Sequence, residues 1–233
     1  MINGHRGQTI LSLAVLFMGF GELTARADSV ASKPAAPPVS IQLSTSMDST
    51  GSDVQETALG DLMADAVFET GGVDAAFVSA DELVPLKLDS GKHSIGDFLN
   101  VLRNRGDSSN RIVVLTLTGE QIVAAANRSV SRIPLPFDGY LQISHMQIHY
   151  KANEPVAVRV ASVEIGGSPV DLKRTYQIAT TRPLANGSFG YFRVWDDKAV
   201  TKDTGVGIAD CLTAYLNAHR SLNDFGTARI SKE

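Results

Sequence analysis

The sequence is poor in the features that mark disulfide-rich, nucleic-acid-binding and membrane proteins. It contains one cysteine, so no disulfide can form within the chain and stability must come from the core. The net charge is only −4 and the basic residues are scattered, which argues against nucleic acid as a partner. Cys211 lies in the amphipathic segment IADCLTAYL, where helical spacing predicts a buried thiol rather than a nucleophile.

A long apolar run is lacking too, and the longest one indicates a secretory signal peptide. The run from Ile10 to Phe20 is shorter than the about 20 residues that a membrane-spanning helix needs. Arg6 precedes it, and the small-x-small sequence ARA that ends at Ala27 follows it. This pattern predicts a signal peptide over residues 1–27, with a buried N-terminal helix as the alternative.

The segment after the predicted cleavage site favours a tether. Residues 28–40 are rich in Ala, Pro and Ser, a composition that buries too little apolar surface to fold. We therefore expect one folded domain over residues 41–233. The protein is expected to be exported, either periplasmic or secreted, with no membrane association after signal cleavage.

Motifs for metal binding and for nucleophilic catalysis are missing. No His-Glu-x-x-His, cysteine pair or Gly-x-Ser-x-Gly occurs in the chain. His145 and His149 are four residues apart, but on a predicted strand this spacing spans about 13 Å, too far for both to bind one ion. We therefore expect no metal and no cofactor.

Apolar periodicity predicts helices at both ends of the folded region. The segment SDVQETALGDLMADAVFETGG has apolar residues at every third or fourth position. Ser52 or Asp53 would cap the start of this helix, and Gly71 and Gly72 would end it. The segment GVGIADCLTAYLNAH predicts the last amphipathic helix.

Capping boxes and alternating segments predict the elements in between. Ser94 with Asp97, and Thr118 with Gln121, mark the starts of two helices. Strands are predicted in VDAAFVSA, RIVVLTLTG, YLQISHMQIHYK, TYQIATT and VAVRVASVEIGG, the last ending in a Gly166–Gly167 hairpin turn. Helices and strands interleave early and strands cluster later, which predicts an α/β fold with parallel and antiparallel pairing.

Several of these segments together resemble the C-terminal domain of the 5′-nucleotidase family. ETALGDLMADAV resembles the opening helix E-x-x-L-G-N-L-x-A-D-A, with Asp61 where Asn is usual. GYLQISHMQIHYK is similar to F-L-Q-V-S-G-x-x-x-x-Y-D, and TYQIATTRPLANGSFGYF to a strand followed by G-G-D-G-Y/F. SIGDFLNVL and RIVVLTLTGEQI match the family's helix–strand–helix passage, which lies between the opening helix and GYLQISHMQIHYK. Order and spacing therefore hold from Gln55 to Ala218.

The resemblance implies both a fold and a role. The fold has mixed β-sheets packed between helices, in α-β-β-α layers. In the family this domain grips the nucleotide, while a separate N-terminal domain holds two metals and performs the hydrolysis. We expect that metallophosphoesterase domain to be missing here, since signal and tether lead directly into the binding domain. Without the two metals the chain alone is not expected to hydrolyse phosphoesters.

The family's ring and ribose contacts carry over only in part. Tyr140 stands where the first base-stacking ring belongs, and a tyrosine can stack as well as a phenylalanine. Pro183 occupies the place of the second ring. Gly187 and Ser188 stand for the paired glycines, and Phe189 replaces the acid that grips the ribose. Phe189 would either act as a substitute ring or plug the pocket.

The family's phosphate contacts are replaced as well. In the phosphate-binding turn G-G-x-R, Asp81 and Glu82 replace the glycines and Val84 replaces the arginine, so a phosphate would be repelled. The arginines of the insert RNRGDSSNR would supply new anion contacts, with a solvated basic loop as the alternative. The residues predicted to bind substrate are Tyr140, Phe189, Asn186, Gly187, Arg182, Arg103, Arg105 and Arg111.

Three functions are compatible with this pattern. The first is an exported, non-catalytic relative of the nucleotide-binding domain that binds a nucleoside or nucleotide-like ligand, or a protein partner. The second is a subunit that completes a nucleotidase together with a separate metallophosphoesterase. The third is a structural domain with a filled pocket.

Overall fold

The computed structural model describes residues 39–223 and 228–233. The predicted signal segment, 1–27, and most of the predicted tether, 28–40, lie outside the described residues. The helices are α1 (Ala58–Gly71), α2 (Ile95–Leu99), α3 (Gly119–Ser129), α4 (Arg182–Ala185) and α5 (Ile208–Ala218). The strands are β1 (Ser40–Leu43), β2 (Met47–Asp48), β3 (Ala75–Ser79), β4 (Lys87–Leu88), β5 (Gly91–Ser94), β6 (Arg111–Thr118), β7 (Leu141–Ser144), β8 (Met146–Tyr150), β9 (Val160–Ile165), β10 (Ser168–Pro169), β11 (Thr175–Thr181), β12 (Val200–Gly207), β13 (Ser221–Leu222) and β14 (Ile230–Lys232).

A five-stranded sheet of order β12-β6-β11-β3-β7 forms the centre of the fold. β11 and β3 are parallel, and the other neighbours in this sheet are antiparallel, which confirms the predicted mixture of pairings. Successive side chains of a strand point to opposite faces of the sheet, and both faces of this sheet carry buried apolar residues. On β3, Ala75 and Phe77 face one apolar cluster, whereas Ala76 and Val78 face another.

Helices and a second sheet cover the two faces. The cluster on one face is built mainly from α1 and α5, together with β1. The cluster on the other face combines α3 with strands of the four-stranded sheet β10-β9-β8-β14. The fold is therefore α/β with mixed sheets packed between helices, as predicted.

Several local predictions are confirmed. Both capping boxes form, at Ser94 with Asp97 and at Thr118 with Gln121, because each side chain bonds to the backbone N–H of the other residue. Gly166–Gly167 makes the tight turn between the antiparallel strands β9 and β10. The thiol of Cys211 is buried, and its pKa is raised to about 12 by that burial.

The predicted start of α1 is wrong, because a long-range contact determines it. The N-cap is Thr57, whose hydroxyl accepts from the Gly60 backbone N–H, and not Ser52 or Asp53. The buried side chain of Gln142, on β7, donates to the carbonyl oxygens of Ser52 and Gln55, each at 2.9 Å, and accepts from the Thr57 N–H at 2.9 Å. These bonds hold the segment before Thr57 against the sheet.

The predicted strand YLQISHMQIHYK is interrupted. β7 ends at Ser144 and β8 begins at Met146, and His145 between them has a φ of 55°, in the left-handed region. The interpretation of His145 and His149 as residues of one strand is therefore wrong. His149 lies on β8, and its Nδ1 is 2.7 Å from the Ser231 hydroxyl. No helix in the part of the chain that the structure describes is long and apolar enough to cross a membrane.

Candidate ligand site at the sheet edge

Four loops converge at one edge of the central sheet. The parallel strands β3 and β11 end there, at Ser79 and Thr181, and their antiparallel neighbours β7 and β6 begin there, at Leu141 and Arg111. We call this region the sheet-edge site, and it comprises the loops 80–84, 103–110, 137–140 and 182–193. The loops are joined by backbone bonds, among them Asp81 N–H to the Asp138 carbonyl at 2.9 Å.

The ring of Tyr140 belongs to the core at this edge. The residue is only 2% exposed, and burial raises the pKa of its hydroxyl above the ordinary value. Its backbone is fixed, since its carbonyl accepts from the Ala80 N–H and its N–H donates to the Phe137 carbonyl, both at 2.8 Å. In this arrangement the faces of the ring are covered by protein. The stacking role of Tyr140 stays a prediction.

Phe189 packs into the site rather than out of it. It is half-buried, and its ring meets the ring of Phe137 edge-on, with centroids 6.5 Å apart. A Cβ on Gly139 would lie 2.6 Å from the Cβ of Phe189, so only glycine permits this approach. The carbonyl of Phe189 accepts from Arg128, with Nε at 2.8 Å and Nη2 as a second donor. Whether Phe189 plugs the pocket or acts as a substitute ring stays a prediction.

The rest of the loop is held by its own backbone and by two stacked rings. Gly187 is buried with a φ of 86°, directly after the short helix α4, and Asn186 is exposed at the end of that helix. The Tyr191 hydroxyl donates to the Gly139 carbonyl at 2.8 Å. The Tyr191 ring stacks on Trp195 with centroids 5.0 Å apart, and both residues are buried.

The four predicted arginines divide into two groups. Arg111 and Arg182 converge on the carboxylate of Asp203, at 2.9 and 2.6 Å. A hydrogen bond from the Gly205 backbone, and then the contact with Arg182, lower the pKa of Asp203. An anion at this point would have to compete with a carboxylate that is already in place.

The other two arginines bind neighbouring loop groups. Arg103 donates from Nε to the Asp81 carbonyl at 2.7 Å and from Nη2 to the Leu83 carbonyl at 3.0 Å. Arg105 is exposed and donates to the Asn100 side chain at 3.0 Å. The structure thus brings Arg111 and Arg182 together but not all four, and the binding roles of these residues stay predictions.

Sequence reasoning placed Glu82 in the site but missed that its carboxyl group is buried. Glu82 is 5% exposed and accepts a 2.6 Å hydrogen bond from the Asn110 side chain. Burial raises its pKa, and hydrogen bonds such as the one from Asn110 act in the opposite direction. Its sequence context, ADELV, looks like an ordinary acidic loop, so only the position next to a fully buried strand hinted at burial. Among the residues that the structure describes, no group of three or more His, Cys, Asp or Glu could hold a metal ion.

The sequence matches the family model described as 5′-nucleotidase, C-terminal domain, over residues 33–196. The chain belongs to this family. The fold of the 5′-nucleotidase precursor from Thermus thermophilus is similar, with a TM-score of 0.74 and 24% identity over 84% of this chain and 39% of that one. No curated protein matches the sequence significantly.

Two further solved structures share the nucleotidase C-terminal fold. The NAD nucleotidase of Haemophilus influenzae has a TM-score of 0.67 at 14% identity, over 82% of this chain and 37% of that one. The putative 5′-nucleotidase of Staphylococcus aureus, in complex with α-ketoglutarate, has a TM-score of 0.67 at 20% identity, over 83% and 40%. This chain thus spans about two-fifths of the length of each of these proteins.

Three of the positions that depart from the family motifs lie in the sheet-edge site. Phe189, which the resemblance assigns to the ribose-binding acid, packs on Gly139. Asp81 and the buried Glu82, which the resemblance assigns to the phosphate-binding turn, lie in a neighbouring loop. The binding roles of these positions stay predictions.

Proposed function

We propose that this chain is a binding domain of the 5′-nucleotidase C-terminal family that does not hydrolyse phosphoesters by itself. Its ligand would be nucleoside-like and would bind at the sheet-edge site after the Phe189 ring moves away. The observation that carries the proposal is the packing of Phe189 against Phe137 and Gly139, beside the buried Tyr140.

The charges of the site support a ligand without a phosphate. Asp81 and Glu82 stand where the family pattern has phosphate-binding glycines. An ionised carboxylate repels an anion, although Asp81 is itself paired with Arg103 at 3.5 Å. The two arginines that converge, Arg111 and Arg182, already share Asp203. A neutral nucleoside meets none of this repulsion, whereas a nucleotide does.

Calorimetric titration of the full chain with adenosine tests the proposal. In the wild type the Phe189 ring fills the site and must be displaced before adenosine binds, which weakens the apparent affinity. Phe189→Ala removes this ring, so it should bind adenosine at least about tenfold more tightly than the wild type. Phe192→Ala is the matched control, since Phe192 lies on the same loop but is 65% exposed. Equal affinities in all three proteins would contradict the proposal.

A second function is favoured by the exposure of Phe192. Phe192 is 65% exposed on the loop 182–193, so its ring is accessible to a partner protein, and a separate metallophosphoesterase would be that partner. In that case the mixture of the two proteins would release phosphate from AMP, and Phe192→Ala would weaken the release while Phe189→Ala would not. The same protein without the partner would release none.

We also propose that the protein is exported. The support is the segment 1–27, with its apolar run and its ARA sequence. The mass of the protein recovered from its native host tests this, since cleavage after Ala27 gives a chain that begins at Asp28. An uncleaved chain retained in the cytoplasm would refute the proposal.

A further inference from the structure

A concave region lies at the opposite end of the central sheet from the sheet-edge site. β7 begins at the sheet-edge site with Leu141 and ends at Ser144, and the next residue, His145, lines a groove of about 430 Å³. We call it the α1–β8 groove. Its polar and aromatic lining consists mainly of Asp65, Phe68, Glu69, His145, Glu164, Tyr215 and Arg229.

One wall of the α1–β8 groove is a flat imidazole ring. The His145 ring stacks on Phe68 with centroids 3.6 Å apart and planes at 6°, while the residue itself remains exposed. One face of the imidazole is therefore covered and the other is open. The backbone of His145 has a φ of 55°, at a position where the family pattern has glycine, and its carbonyl accepts from the Gly166 N–H at 3.1 Å.

The groove carries more negative than positive charge. Asp65 binds the guanidinium of Arg229 with two bonds, at 2.7 and 2.9 Å, so that cation is neutralised within the groove. Glu69 lies 2.8 Å from Nε2 of His219. Glu164, half-buried on β9, takes part in none of the ion pairs seen among residues 39–223 and 228–233. Within the described part of the chain, the Glu164 carboxylate is thus available to bind a cation.

We propose that the α1–β8 groove binds a planar organic cation of the guanidinium type. Such a cation would stack flat on the open face of the His145 ring and donate N–H bonds to Glu164, and its charge suits the carboxylates. A phosphate or carboxylate ligand would be repelled by the same groups. The volume lies in the range of small-ligand sites, about 300–1,000 Å³. A guanidinium group reaches the groove on a free small molecule or on an arginine side chain of a peptide.

Titration of the full chain, followed by the His145 imidazole signals in NMR, tests this proposal. The probes are arginine amide, lysine amide as a cation that is not planar, and the peptide Gly-Arg-Gly. Arginine amide is expected to saturate and to shift the His145 signals, and lysine amide to bind at least about threefold more weakly. Comparison of arginine amide with the peptide distinguishes a small-molecule site from a peptide site.

Three variants complete the test. His145→Gly restores the family residue and removes the platform, so it should fold at least as stably while binding of arginine amide weakens by at least about threefold. Glu164→Gln should weaken binding by about tenfold. Glu154→Gln is the control, because Glu154 is an exposed glutamate beyond the other end of β8.

Each result of these titrations either supports or overturns guanidinium binding in the α1–β8 groove. Binding that prefers arginine amide and weakens in both groove variants supports the proposal. Absence of saturation, equal binding of lysine amide, or full affinity in a correctly folded His145→Gly would overturn it. Circular dichroism and urea unfolding of each variant establish that it is folded. None of these results depends on adenosine binding, so failure here is distinct from failure of the proposed function.

Discussion

Replacement of Asp61 by asparagine should stabilise the protein, and more strongly as the pH rises. Asp61 is a residue of α1 that is only 2% exposed, and its Oδ1 has no hydrogen-bond partner among the described residues. Burial raises the pKa of Asp61 to about 9, against the attraction of Arg229, whose Nε lies 3.9 Å from Oδ2. The family pattern has an uncharged asparagine at this position.

The size of this pH-dependent change in the free energy of unfolding follows from proton linkage. Between the unfolded pKa of about 3.9 and the folded pKa of about 9, the folded state holds one more proton than the unfolded state. The free energy of unfolding therefore falls as pH rises, by up to about 1.4 kcal/mol per pH unit. From pH 4 to pH 7 this amounts to a loss of up to about 4 kcal/mol, a large part of the roughly 5–15 kcal/mol typical of a domain.

Urea unfolding followed by circular dichroism, from pH 4 to pH 8, measures the effect. Asp61→Asn has no group to titrate, so its stability advantage should be small near pH 4 and grow with pH by up to about 4 kcal/mol at pH 7. Asp65→Asn is the matched control. It should destabilise at neutral pH by about 1.5–3 kcal/mol, because Asp65 holds Arg229 with two bonds. A difference between Asp61→Asn and the wild type that stays constant over this pH range would show that the pKa of Asp61 is not raised by folding.

Two further predictions concern the core. A Cβ on Gly60 would lie 2.1 Å from Oε1 of the buried Gln142, so Gly60→Ala should destabilise by about 2 kcal/mol or more in urea unfolding. In Gly96→Ala the new Cβ meets nothing closer than 3.5 Å, so this helical control should stabilise by up to about 1 kcal/mol, and equal effects of the two would contradict the packing argument. The buried thiol of Cys211, with its pKa raised to about 12, should react with a thiol reagent only on unfolding, and rapid reaction in the native protein would show that the thiol is accessible.

The sequence predicted best the features that depend on neighbouring residues. The capping boxes at Ser94 and Thr118 and the Gly166–Gly167 turn need only local geometry, and all three form as predicted. The predicted start of α1 was wrong because it depends on Gln142, which lies 85 residues after Thr57 in the chain and binds the segment before the helix. The break at His145 was also missed, although the alternation changes phase there. The apolar residues Leu141 and Ile143 are followed by Met146 and Ile148.

For the candidate site, the sequence indicated the loops but not the pairs within them. The resemblance assigns Tyr140 and Phe189 to one ligand site, and the structure brings their loops together at one sheet edge. That Arg128 binds the Phe189 carbonyl, and that Asp203 binds two arginines, depends on strands and helices that meet only in the folded chain. Burial of Glu82 likewise follows from tertiary packing rather than from its acidic neighbours.

The ratio of the affinities for AMP and adenosine shows whether the sheet-edge site binds a ligand without a phosphate, as we propose. It should be measured by calorimetry on the full-length Phe189→Ala variant, in which the ring no longer fills the site. We expect adenosine to bind at least as tightly as AMP, since Asp81 and Glu82 repel the phosphate and Arg111 and Arg182 are held by Asp203. An AMP affinity about tenfold higher than that of adenosine would show that phosphate recognition survives, and would contradict the proposed nucleoside-like ligand.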